Sequence, residues 1–151
     1  MLSHSNIDGL WIVDTSATAH MTPHRAFFVT YEPCSTPVRV ANGNIVHAAG
    51  VGTVAFVPGQ GVLDKPAVGL TKVVHVPDLQ CNLLSVPYLV QNSGIIVHTE
   101  DDSMLFAQNG TVLFMATIID ACAAHLDGVT APNDSVVASA HRMKIPTDLA
   151  L

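Results

Sequence analysis

The sequence is poor in positive charge and in aromatic side chains. Of its 151 residues only six are Lys or Arg, against twelve Asp or Glu, so the formal net charge is −6, and 5% are aromatic. Proteins that bind nucleic acid contact its phosphates mainly through clustered Lys and Arg side chains. We therefore expect no direct nucleic-acid binding. The apolar fraction of 49% is large enough to form a core, which excludes a disordered chain.

Cysteines are few, and long hydrophobic runs are absent. Cys34, Cys81 and Cys122 form an odd set without a CxxC pair, which argues against a disulfide framework and a cysteine zinc site. The longest apolar run, Val112–Ile119, is too short to cross a bilayer, and residues 1–9 lack the features of a signal peptide. We expect a cytoplasmic protein that has no membrane partner.

The distribution of Gly and Pro predicts an all-β fold. Ten Gly and nine Pro punctuate short runs of Val, Ala, Leu and Ile, which is typical of strands joined by turns. Asn42-Gly43 lies between Val38–Val40 and Ile45–His47 and predicts a hairpin, because Asn and Gly tolerate positive φ. Asn109-Gly110 predicts a second one. Further strands are predicted over Val51–Val57, Leu70–Val76, Ile95–His98, Met104–Phe106 and Val112–Phe114.

One short helix is predicted over Ser85–Gln91, because Pro87 suits a first helical turn and Gly94 can end the helix. From Asp120 onwards the pattern weakens into Ala, Ser, Asp and Pro, which is typical of a linker. The predicted organisation is an N-terminal extension over 1–9, one domain over 10–119 and a tail over 120–151.

The residues with the clearest chemistry follow the first apolar run. Leu10–Val13 ends abruptly in Asp14, which is followed by Thr15, Ser16 and Ala17. Small residues around a carboxylate would allow two such loops to meet face to face. Two adjacent carboxylates sharing one proton can activate a water and donate a hydrogen bond to a carbonyl. On the tripeptide alone, an Asp that simply ends a strand and caps a turn is the favoured interpretation.

Three ordered stretches resemble the proteases of copia-type retrotransposons, in the retroviral aspartic protease superfamily. Trp11–Met21 (WIVDTSATAHM) resembles the catalytic stretch of that family. Val38–Gly43 (VRVANG), followed by Gly50–Val54 (GVGTV), resembles its flap and the strand after it. Val73–Val86 (VVHVPDLQCNLLSV) resembles its third conserved segment. Together the matches span roughly Trp11–Phe114, which makes their combination far more specific than any one motif.

The resemblance implies a retropepsin-like closed β-barrel with one half-site per chain. Only one Asp in the sequence has this motif, so a carboxylate pair requires a homodimer, with Asp14 from each chain as the catalytic residue. Thr15 matches the residue whose hydroxyl joins the two loops, and Ser16 completes the catalytic group. The expected substrate contacts are Ala17, Val40, Ala41, Asn42, Gly43 and Leu84. Leu83, Leu84 and Ser85 match the segment behind the catalytic loop.

Ser16 departs from the family pattern, which has Gly at this position for close backbone packing. A Cβ and a hydroxyl are therefore expected in a crowded place. Two functions stay open. One is an active aspartic endopeptidase that cleaves its own retrotransposon polyprotein inside a cytoplasmic virus-like particle. The other is a catalytically impaired dimerisation or peptide-binding module with the same fold.

Histidine spacing offers a metal alternative. His20 and His24 are four residues apart, as two ligands on one helix face would be, but Pro23 lies between them and no third ligand is evident. We expect no metal and no cofactor, and we interpret His20 as a structural hydrogen-bonding residue. Trp11, beside a predicted core strand, is expected to pack in the core rather than line a substrate pocket.

Overall fold

The computed structural model describes residues 9–40, 43–59, 66–120 and 123–130. These residues form eleven strands and one α-helix, with a short 3-10 turn at Arg25–Phe27. The strands are β1 Trp11–Asp14, β2 Met21–Thr22, β3 Phe28–Arg39, β4 Ile45–Pro58, β5 Val68–His75, β6 Asn82–Ser85, β7 Ile96–Glu100, β8 Ser103–Gln108, β9 Thr111–Asp120, β10 Ala123–Leu126 and β11 Gly128–Thr130; helix α1 is Val86–Asn92. Within these ranges no helix is both long and apolar enough to span a membrane.

All eleven strands belong to one sheet, in the order β11-β4-β5-β2-β6-β1-β10-β9-β8-β7, with β3 paired to β4. The all-β class with one short helix is confirmed. The sheet curls because β4 is 14 residues long and pairs with β3, β5 and β11 along different parts of its length. It does not close as the expected barrel would: among the described residues, β7 and β11 lie at opposite ends of the hydrogen-bonded order.

One hydrophobic core fills the inside of the curled sheet. Phe106 and Phe114 have ring centroids 4.8 Å apart, and Phe56 meets Phe114 edge-on at 6.0 Å, which joins β4 to β8 and β9. Trp11 is also fully buried, and its indole N–H donates to Thr130 Oγ1 at 2.6 Å. Burying each such side chain contributes about 1.5–3 kcal/mol. The prediction that Trp11 packs in the core is confirmed.

Both predicted hairpins are present. Val38 pairs with Val46 in the β3–β4 hairpin, and Gly43 in its turn has φ +89°. Asn42 itself lies outside the described residues. In the β8–β9 hairpin, Asn109 and Gly110 have φ values of +54° and +82°, the two positive angles that a type I′ turn requires.

β4 is one continuous strand where the sequence predicted two. Gly50 and Gly52 both lie within the β3–β4 ladder, where they do not interrupt the strand. A Cβ at Gly50 would overlap the ring of Tyr31, and one at Gly52 would overlap the backbone oxygen of Thr30. These glycines are therefore required by the close approach of β3.

Helix α1 begins and ends close to the predicted limits. Ser85 is its N-cap, accepting the Tyr88 N–H on Oγ at 3.0 Å, and Gly94, with φ +65°, follows its end. The sheet continues past residue 120, where the sequence predicted a linker. β10 pairs with β1 and β9, and β11 pairs with β4. The predicted domain limits stay a prediction.

Candidate functional site

Asp14 is the last residue of β1, where the strand passes into the loop of Thr15–Ala19. β1 runs parallel to β6, and the register places Asp14 opposite Ser85. The Asp14 side chain is half-buried and lines a cleft of about 490 Å³. The abrupt change from an apolar strand to polar and small residues thus places one carboxylate at the wall of the cleft.

Three hydrogen bonds hold the Asp14 carboxylate, and all of them end on Oδ1. The backbone N–H groups of Ser16 and Ala17 donate at 2.8 and 3.0 Å, and the Ser16 hydroxyl donates at 2.8 Å. Hydrogen bonds to an ionised acceptor are stronger than neutral ones. They fix the orientation of the carboxylate, and among the described residues none ends on Oδ2.

Ser16 lies in a less crowded place than expected. It is exposed, and it is not among the non-glycine residues with positive φ, which in the described part of the chain are Lys72, Asp101 and Asn109. The backbone at this position therefore does not demand glycine. The expectation of steric crowding was wrong for the single chain, because the hydroxyl turns back to Asp14 Oδ1.

A buried set of polar residues supports the loop from behind. Ser85 Oγ donates to the carbonyl oxygen of Ala17 at 2.6 Å, while the Ser85 N–H donates to His20 Nδ1 at 2.9 Å. Ser85 and His20 are both almost inaccessible to solvent. The loop that carries Asp14 is thereby tied to the start of helix α1, as expected for a segment behind the loop.

His20 is neutral in the fold. Burial lowers its pKa from 6.5 to about 3. Because Nδ1 accepts a hydrogen bond, the ring proton is on Nε2, which has no hydrogen-bond partner among the described residues. The ring meets Tyr88 edge-on at 5.1 Å. The expectation that His20 forms structural hydrogen bonds agrees with this geometry.

Asn82 is a second buried polar anchor, for which no role was predicted from the sequence. Its Oδ1 accepts the Thr22 hydroxyl at 2.5 Å, and its Nδ2 donates to the Leu10 carbonyl oxygen at 2.7 Å. It therefore joins β2 and the start of β1 to β6. The sequence does contain one indication of this role, an amide residue beside two leucines in a buried strand, because a buried amide must be hydrogen-bonded.

The β3–β4 hairpin forms the opposite wall of the cleft. Val38, Arg39 and Val40 line it together with Asp14 and Ala17. Val40 anchors the hairpin turn, since its N–H donates to the Asn44 carbonyl oxygen at 3.0 Å and its own carbonyl accepts the Gly43 N–H at 2.9 Å. The structure thus brings the predicted substrate contacts Ala17 and Val40 to the same cleft as Asp14.

Two of the other predicted contacts, Gly43 and Leu84, do not line this cleft. Leu84 is fully buried in the core, whereas its neighbour Leu83 lines the cleft, because successive side chains of β6 point to opposite faces. Gly43 is exposed in the hairpin turn, outside the lining. The prediction for Leu84 is corrected to Leu83. Ala41 and Asn42 lie outside the described residues.

Two further features of the site concern thiol and metal chemistry. Burial raises the pKa of the Cys81 thiol, and the negative charge of Asp14 raises it further, which keeps the thiol protonated beside the carboxylate.

Within the described ranges, no three His, Cys, Asp or Glu side chains are grouped to hold a metal ion. His24, the other half of the spaced histidine pair, packs its ring on Phe27 at 4.6 Å.

Comparison with known proteins identifies the family. Residues 11–95, which include β1, the cleft and helix α1, match the family described as "Pol polyprotein, beta-barrel domain". The chain belongs to this family. Over 80 residues, half of its length, it is also 36% identical to the "Retrovirus-related Pol polyprotein from transposon TNT 1-94" of Nicotiana tabacum.

The chain spans only 5% of the length of that tobacco polyprotein. The expectation of a copia-type retrotransposon polyprotein region is confirmed by the beta-barrel family and by this relative. These matches do not show protease activity or dimerisation.

Proposed function

We propose that this Pol beta-barrel domain is an aspartic endopeptidase that works as a homodimer and cleaves the polyprotein to which it belongs. The proposal rests on the position and the hydrogen bonding of the Asp14 carboxylate. Its carboxylate stands at the end of a buried strand, faces a cleft, and is oriented through Oδ1 by two backbone N–H groups. Half of an aspartic site requires an oriented carboxylate of this kind.

The second carboxylate would come from an identical chain. Thr15 and Ser16 are exposed next to Asp14, so the loop offers a small polar surface to a two-fold partner. In such a dimer each Asp14 would turn Oδ2 towards the two-fold axis, because Oδ1 is already engaged with its own loop. Two carboxylates that meet closely at such an axis would hold one proton between them, because both cannot ionise cheaply.

The chemistry then follows from the two protonation states of the pair. The ionised Asp14 takes a proton from a bound water, which attacks the scissile carbonyl carbon of an extended peptide. The protonated Asp14 donates a hydrogen bond to the carbonyl oxygen, where negative charge develops in the transition state. The amine leaves after accepting a proton from the pair. Val38 and Val40 would cover the peptide from the hairpin side.

A specific observation favours the alternative, a catalytically impaired dimerisation or peptide-binding module. The Ser16 hydroxyl donates to Asp14 Oδ1 at 2.8 Å, in addition to the two backbone donors. An extra donor holds the carboxylate to its own loop and so opposes the sharing of a proton with a second Asp14. The same cleft would then bind a peptide without cleaving it.

Cleavage of a polyprotein fragment in which this domain carries Asp14→Asn and keeps its flanking segments tests the proposal, because such a fragment cannot cleave itself by the proposed mechanism. The fragment is incubated at mildly acidic pH with the wild-type chain, with Asp14→Asn, and with Asp78→Asn as a matched control. Asp78 is an exposed Asp outside the cleft lining. A statine-type inhibitor, which mimics the tetrahedral intermediate, is added in a parallel series.

We expect cleavage by the wild-type chain and by Asp78→Asn, and no cleavage by Asp14→Asn or in the presence of the inhibitor. Cleavage that survives in Asp14→Asn would overturn the aspartic mechanism. If no variant cleaves, but labelled peptides from the fragment bind to the wild-type chain, the alternative function is supported instead.

A further inference from the structure

Arg39 is among the residues that line the cleft together with Asp14, and its side chain carries a positive charge. We infer that Arg39 selects peptides that carry an acidic side chain near the scissile bond. The inference deepens the proposed function and rests on it, since it concerns which polypeptide the cleft accepts.

The environment of Arg39 differs from that of the other cations in the described part of the chain, Arg25 and Lys72. The Arg25 guanidinium stacks over the Tyr31 ring at 3.6 Å from its centre, where it already has a favourable partner. Lys72 lines a separate groove between β3, β4 and β5. Only Arg39 of the three lines the cleft that holds Asp14.

The guanidinium of Arg39 has no anionic partner within the chain's described residues, where the one ion pair is His98 with Glu100. The lining of the cleft is otherwise mainly apolar, with Met21, Val74 and Leu83 among its residues. A guanidinium forms two parallel hydrogen bonds to a carboxylate, a geometry that favours a carboxylate over a neutral amide. A Glu or Asp of the bound peptide would supply this missing partner.

Two-fold symmetry would double the contribution of Arg39. In a homodimer the active cleft is lined by one Arg39 from each chain, on opposite sides of the scissile bond. An acidic residue should therefore be favoured at equivalent positions before and after the cut. The apolar lining between the two guanidinium groups would accept aliphatic or aromatic side chains next to the scissile bond.

The experiment compares peptides that differ only by Glu, Gln or Lys at one position, which is varied one at a time on either side of an apolar cleavage site. The peptides are cleaved by the wild-type chain, Arg39→Ala, Arg39→Glu and Lys72→Asn. The last variant removes one positive charge outside the cleft and suits the φ of +57° at that position. Arg39 is exposed, so its replacement should not affect folding.

For the wild-type chain and Lys72→Asn we expect kcat/KM to be about tenfold higher for Glu than for Gln at one position on each side. Arg39→Ala should remove the difference, and Arg39→Glu should favour a Lys peptide over the Glu peptide. Equal cleavage of Glu and Gln peptides by the wild-type chain, or a preference that survives in Arg39→Glu, would overturn the inference.

A binding measurement separates this inference from the proposed function. The anisotropy of fluorescent Glu and Gln peptides is followed with Asp14→Asn, alone and combined with Arg39→Ala. Tighter binding of the Glu peptide that depends on Arg39 supports the inference even if no variant cleaves. Equal binding of both peptides overturns it, while cleavage by the wild-type chain would leave the aspartic mechanism standing.

Discussion

Ser85 Oγ donates a hydrogen bond of 2.6 Å to the carbonyl oxygen of Ala17, although 68 residues separate the two in the chain. The same hydroxyl accepts the Tyr88 N–H and thus also caps helix α1. Since the Ala17 N–H in turn donates to Asp14 Oδ1, the cap of the helix and the orientation of the carboxylate depend on one buried side chain.

Ser85→Ala should therefore lower both stability and activity. The helix loses its N-cap and the Ala17 carbonyl loses its donor, which together should reduce the free energy of unfolding by about 1–3 kcal/mol. In activity assays we expect kcat to fall more than KM changes, because the loop loses orientation while the cleft keeps its lining. Urea unfolding of the wild-type chain and of Ser85→Ala measures the loss of stability, and Ser103→Ala in the β8–β9 hairpin serves as the control. An unchanged unfolding midpoint would contradict the role assigned to Ser85.

Stability should fall as the pH falls through the mildly acidic range. The pKa of His20 is lowered from 6.5 to about 3 in the fold, so above pH 6.5 neither the folded nor the unfolded state binds this proton. Between these two values the unfolded chain takes up the proton and the folded chain does not. The free energy of unfolding should then decrease by up to about 1.4 kcal/mol per pH unit.

The comparison of variants isolates this effect from other titrating groups. His20→Gln, which keeps a hydrogen-bond acceptor for Ser85, should lose most of the pH dependence between about pH 6 and pH 3. His47→Gln removes an exposed histidine and should retain it. Parallel stability profiles for the wild-type chain and His20→Gln would show that His20 is not the group responsible.

Ser16 is predicted to reduce catalytic activity through its hydroxyl. Ser16→Ala removes only the side-chain donor to Asp14 Oδ1 and keeps the Cβ, whereas Ser16→Gly removes both. If the hydroxyl opposes proton sharing, both variants should have a kcat at least about threefold higher. If the Cβ crowds the dimer, only Ser16→Gly should improve. Unchanged kcat in both variants would remove Ser16 as the reason for any loss of activity.

The sequence predicted those parts of the fold that depend on local chemistry. The hairpin at Asn109-Gly110 and the helix capped by Ser85 follow from positive φ and from capping, which neighbouring residues determine. The strands β10 and β11 could not be predicted, because apolar and polar residues do not alternate clearly over Ala123–Thr130. This segment forms strands by pairing with β1, β4 and β9, which are distant in the sequence. Long-range pairing of this kind leaves little trace in a single sequence.

In the site too, features determined by neighbouring residues were predicted and features determined by long-range packing were not. The position of Asp14 after an apolar strand was visible in the sequence, but the choice between Leu83 and Leu84 depended on which face of β6 meets the cleft. A shift of one residue reverses the two faces of a strand, so a motif alone could not decide it. Arg39 was not identified from the sequence for a similar reason, since only the fold brings β3 and the Asp14 loop to the same cleft.

The most direct test of the account is a subunit-mixing experiment. Wild-type and Asp14→Asn chains are refolded together at different ratios, and the rate of peptide cleavage is divided by the amount of wild-type chain. If each active site needs two Asp14 residues, an equal mixture should show about half the activity per wild-type chain, since half of the partners lack the carboxylate. Activity per wild-type chain that stays constant as Asp14→Asn is added would contradict a catalytic pair formed by two copies of this domain.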